Sequence, residues 1–116
     1  AEVRERRRQR DVLRRADEDT RFVGDLAAAI RSQFPACPAE RALRIAQHAG
    51  ERSSGRIGRT SAGRALDAAA VRLAVIASVR HEDTRYDELL MAGLPRSDAR
   101  EFVRADIDRV MARWAE

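Results

Sequence analysis

The chain is 116 residues long, the size of one domain with a single hydrophobic core. A lone cysteine, Cys37, excludes an internal disulfide, no Cys/His set has zinc-finger spacing, and no apolar run approaches the ~18 residues of a membrane span. The net charge of +4 is unevenly spread: residues 1–15 carry +4, 16–40 carry −3, 41–80 carry +6 and 81–116 carry −3.

Two basic blocks alternating with two acidic ones describe a polarised molecule with one anion-seeking face. All 23 basic residues are arginine. A GC-rich bacterial genome accounts for the absence of lysine, yet the choice has a physical consequence. Arginine stays charged at any working pH and offers phosphate a planar, bidentate fork. The opening AEVRERRRQR has no apolar core and so does not read as a secretory signal, which makes the cytoplasm the expected location.

Residues 2–19 predict a charged helix, EVRERRRQRDVLRRADED, with no Gly or Pro. Val3, Val12 and Leu13 are too few for a continuous apolar seam, so the helix projects into solvent or lies on something acidic. Arg4, Arg7, Arg8, Arg14 and Arg15, with Arg6 and Arg10, make it a basic arm. The competing account is a solvated helix laced with pairs such as Asp11–Arg15. Thr20 reads as the N-cap of a second helix over 21–34, where Phe22, Leu26, Ile30 and Phe34 recur every four residues. Pro35 stops it. Pro38 suits the first turn of a third helix ending at Gly50, with Leu43, Ile45, Ala46 and Ala49 as its apolar side.

The stretch SSGRIGRTSAGRAL over 53–66 follows, with no acidic residue. Glycines let backbone N–H groups line one side of a turn, and arginines add charged forks, so the stretch suits an anion. Arg52, Ser54, Gly55, Arg56, Gly58, Arg59, Thr60, Ser61 and Arg64 are its candidate phosphate contacts. A solvated loop is the alternative. The spacing of Gly58 and Gly63 has the outline of a P-loop, but Arg64 and Ala65 replace the lysine and hydroxyl and no strand precedes it. Ile57 to Ala62 resembles the second half of a helix–hairpin–helix motif, with Arg56 where a glycine is expected. Gly55 to Gly58 is similar to the GXXG loop of KH domains, whose strands are absent here.

Asp67 then caps a helix over 68–80 that is apolar nearly all round, through Val71, Leu73, Val75, Ile76 and Val79, and so belongs at the centre. Thr84 to Asp87 reads as a capping-box start for a short helix ending at Gly93, with Tyr86, Leu89 and Leu90 inward. Pro95 and Ser97 open a last helix, whose Ala99, Phe102, Val103, Ile107, Val110 and Trp114 keep the 3.6 period. No segment alternates like a strand. The expected fold is all-α: five to six helices packed around the central one, with the basic arm at 1–19 and one domain over 20–116.

His48 and His81 are the only histidines. His81-Glu82-Asp83 follows the central helix, but no third ligand and no nucleophile–base pair is evident. A helix-end histidine bonded to a backbone carbonyl explains it, so neither metal, cofactor nor catalysis is expected.

Residues 22–114 resemble the DUF2293 family. The residues that carry this are Phe34-Pro35 with Cys37-Pro38, Ser54 to Arg59, Leu66-Asp67 with Ala70 to Val75, Arg80-His81, Thr84 with Tyr86-Asp87 and Leu89-Leu90, and the final Trp114. The resemblance implies one compact domain and brings no assigned activity; the arm before Thr20 lies outside it. The expected function is a non-catalytic nucleic-acid-binding accessory role. Structured RNA, the ribosome included, stands ahead of DNA because no helix offers a row suited to a major groove. Scarce aromatics argue against base stacking. The alternative is a protein-interaction module whose arginines, including those of the arm, meet an acidic partner surface.

Overall fold

The three prolines punctuate a chain otherwise made of helix formers, and each lies outside a helix. The computed structural model describes residues 2–51 and 66–116. Among these residues it contains five helices and no strand: α1 (Glu2–Gln33), α2 (Ala39–Ala49), α3 (Ala68–Glu82), α4 (Tyr86–Met91) and α5 (Arg96–Trp114). The fold is all-α, and α3 packs against each of the other four helices.

The expected break at Thr20 is absent. Nothing between residues 16 and 25 stops a helix except Gly24, and the Thr20 hydroxyl donates back to the Ala16 carbonyl at 3.0 Å, as a threonine inside a helix does. The arm and the first core helix are therefore one rod of 32 residues, about 48 Å long at 1.5 Å per residue. Its first buried side chain is Leu26.

The core joins Leu26, Ile30 and Phe34 to Ile45 and Ala46 of α2, Val71, Val75 and Val79 of α3, Tyr86 of α4, and Val103, Ile107 and Trp114 of α5. Asp67 caps α3 as its sequence predicts, accepting from the Ala69 and Ala70 amides at 2.8 and 3.3 Å. Two polar ties set the ends of elements. The Gln33 amide donates to the Ala68 carbonyl at 2.8 Å, and the Ala36 N–H donates to the Trp114 carbonyl at 2.9 Å. They fix the end of α1 against the start of α3 and against the end of α5.

Three apolar expectations fail in the same way. Leu43, Leu73 and Phe102 are exposed, while Ala42, Ala74 and Met111 take up buried positions. α3 is apolar nearly all round, but among the described residues Val71, Val75 and Val79 are buried while Leu73 is half exposed. The α5 helix begins after Pro95 with no side-chain cap, and Ser97 lies inside its first turn. Thr84 does start α4 by accepting from the Tyr86 amide at 3.1 Å and donating to the Arg80 carbonyl. Asp87 does not complete the box, because it bonds to His81 instead.

Candidate nucleic-acid interface

Because nothing on α1 before Leu26 is buried, the side chains of its first half are free to face a partner. Arg7, Arg14 and Arg21 recur every seven residues, and Arg4, Arg8 and Arg15 at spacings of four and seven. On a 3.6-residue helix each set keeps to one face, and the first spans about 21 Å. All six are exposed. The expected Asp11–Arg15 pair does not form. Asp11 pairs with Arg14 at 3.0 Å, and Arg14 also approaches Glu18 at 4.0 Å. Among the described residues, Arg4, Arg6, Arg7, Arg8, Arg10 and Arg15 have no ion-pair partner. Solvated intrahelical pairing thus accounts for one arginine of the arm and leaves the others unneutralised.

The second predicted element, Arg52, Ser54, Gly55, Arg56, Gly58, Arg59, Thr60, Ser61 and Arg64, lies outside the described residues. The chain enters it at the end of α2 and leaves it at the start of α3.

Two arginines of α2 instead serve packing. Arg41 of α2 is largely buried, bonds Glu82 at 2.9 Å, Asp83 and the Ser78 hydroxyl, and lies 5.0 Å above the Trp114 ring. Arg44 adds a second contact to Glu82 at 3.3 Å. This cluster locks α2 to the end of α3 and is internally neutralised, which removes it as an anion site.

His81 sits at the end of α3 as expected, but its partner is a side chain rather than a carbonyl. Nδ1 lies 2.7 Å from Asp87 Oδ1, and the ring meets Tyr86 edge-on at 5.4 Å. Both members of the pair are more than half exposed. With Asp87 on one nitrogen, the imidazole ties α3 to α4. Among the described residues no three His, Cys, Asp or Glu side chains gather in metal-binding range, and no helix is long and apolar enough to cross a membrane.

A basic surface that the sequence reading missed lies between α3 and α5. Arg80 of α3 faces Arg96, Arg100 and Arg104 of α5 across a groove of about 630 Å³. Its signal was present in the sequence as the i, i+4, i+8 spacing of the last three. What could not be seen was that Arg80, on another helix, closes the same groove.

No curated protein and no solved structure matches the chain. Residues 29–115 match a family model described as "Uncharacterized conserved protein (DUF2293)". That match takes in the whole described core from α2 to α5 and leaves most of α1, the arginine-bearing half included, ahead of it. Covering about three quarters of the length, it makes this chain a member of the DUF2293 family.

Proposed function

We propose that the chain is a non-catalytic nucleic-acid-binding accessory protein that grips the phosphate backbone. Its first half-helix supplies Arg4, Arg7, Arg8, Arg14 and Arg15, and the Arg/Gly stretch supplies Arg52, Arg56, Arg59 and Arg64. The observation that carries this reading is the row of exposed arginines on α1 that lack ion-pair partners among the described residues. A 32-residue helix with no buried side chain over most of its first two dozen residues gains little from burial there. Its arginines bear on phosphate binding, where each displaces condensed counterions.

Structured RNA, ribosomal RNA included, is favoured over DNA. The arm carries seven arginines but a single Gln, Gln9, and no Asn to read base edges, so recognition rests on shape and backbone. The place of action we infer is the cytoplasm, with which the free, buried Cys37 thiol is consistent.

The test is recovery of the chain from native lysate with and without nuclease. The intact chain is expected to bring down RNA or ribosomal material and to lose it on nuclease treatment. Removing residues 1–19, or replacing Arg56, Arg59 and Arg64 with Ala, should each reduce the yield. A protein partner that persists after nuclease would overturn this reading in favour of an acidic protein surface.

A further inference from the structure

The groove between α3 and α5 concentrates more positive charge than its carboxylates neutralise. Arg96, Arg100 and Arg104 stand four residues apart on α5, so their side chains share one helix face. Like charges at that spacing destabilise a helix slightly. Arg104 reaches Glu101 at 3.5 Å, a contact exposed to solvent. Among the described residues, Arg96 and Arg100 have no ion pair, although Asp108 lies in the same lining. Four guanidiniums therefore face two carboxylates.

Arg80 is the unusual member. Its guanidinium packs 5.6 Å from the Tyr86 ring, and among the described residues its buried Nε has no hydrogen-bond partner. A buried donor on a charged group left without an acceptor costs more than an ordinary hydrogen bond returns. Burial, and then the neighbouring Arg100, push its pKa below the ordinary arginine value, against the favourable pull of Tyr86. An anion between α3 and α5 would relieve the repulsion between Arg80 and Arg100. Ile76 and Ile107 also line the groove.

We propose that the groove between α3 and α5 is a phosphate-binding site, with Arg80, Arg96, Arg100 and Arg104 as its donors. Arginine forks match the tetrahedral oxygens of phosphate, and a groove of about 630 Å³ admits either a free phosphate or a phosphodiester. The site does not depend on the arm: it lies on two helices within the matched region, whereas the arm precedes that region.

The test compares the intact chain with Arg96→Gln/Arg100→Gln, both substitutions being at exposed, unpaired positions on α5. Inorganic phosphate and pyrophosphate are titrated against sodium chloride at matched ionic strength, with binding read by amide chemical shifts. The intact chain should bind with shifts centred on α3 and α5, and the double variant should lose about tenfold or more in affinity. In chloride alone the variant should melt no lower than the intact chain, since it loses only repulsion. Equal phosphate binding by both chains, or a variant that melts well below the intact chain in chloride, overturns the proposal.

A second arm of the experiment uses duplex RNA. If the double variant also loses RNA affinity, the natural ligand is a phosphodiester; if RNA binding is unchanged while phosphate binding is lost, it is a free phosphate. Should the intact chain bind phosphate at the groove but no RNA at all, the nucleic-acid reading of the arm fails and this site stands.

Discussion

Arg41 shows what a single arginine does when it is enclosed. Its guanidinium holds Glu82, Asp83 and Ser78 while stacking on Trp114, so one side chain joins α2, the end of α3 and the end of α5. Arg41→Ala would leave Asp83 half-stranded and uncover the indole, and should cost about 2–3 kcal/mol in urea unfolding. Arg41→Lys should recover less than half of that, because a point charge cannot serve both carboxylates and the ring. Cys37 is a second enclosed residue, buried between α1 and α2. Burial raises its thiol pKa, against the pull of Arg41 and Arg31. The neutral thiol is then the favoured folded form. Its contribution is fully present below the unfolded thiol pKa, near 8.5, and is lost as pH rises through the higher folded value. Stability should therefore decline above about pH 8.5, and Cys37→Ala should flatten that decline. The absence of lysine leaves few other groups to mask the effect. A packing role for Cys37 was legible from its place beside Pro38, and it is buried. The role of Arg41 was not: its hydroxyl and carboxylate partners lie some forty residues away and depend on the packing of α2 against α3.

At the scale of elements, periodicity located most of the helices, and local chemistry located several of their ends. Asp67, Gly50 and Pro38 mark boundaries because a side-chain cap, the low helix propensity of glycine and a fixed φ act within one turn. Thr20 misled because the same hydroxyl that caps a helix can bond back inside one, and only tertiary context separates the two. The two glycines flanking the α1–α2 contact give opposite predictions. A Cβ on Gly24 would meet nothing within 4 Å, so Gly24→Ala should stabilise α1 by about 0.5–1 kcal/mol. A Cβ on Gly50 would come within 3.0 Å of the Ala46 carbonyl and 3.2 Å of Val23 Cγ2. Gly50→Ala should therefore lower the melting temperature where Gly24→Ala raises it. For α3, the sequence placed the helix at the centre but not its exposed side. Val75 is fully buried, and Val75→Asp should abolish a cooperative unfolding transition, since an unpaired buried charge costs several kcal/mol.

For the whole molecule, the charge blocks of the sequence anticipated one basic region to which the structure gives a shape, the half-helix of α1 that stands clear of the core. The α3–α5 groove was hidden, because three of its four arginines lie in the block of net −3 and the fourth comes from another helix. The Arg/Gly stretch remains a sequence-level element. The central claim is that the arm meets phosphates, and salt dependence tests it most directly. The measurement is affinity for a structured RNA across a series of salt concentrations, for the intact chain and for a variant with Arg4, Arg7, Arg8, Arg14 and Arg15 all replaced by Gln. These side chains are exposed, so the fold should be unchanged by circular dichroism. Each lost phosphate contact should flatten the slope of log affinity against log salt by about 0.7–0.9, so the variant's slope should be shallower by up to ~4. Identical slopes for the two chains, or no affinity for RNA even at low salt, would contradict the account.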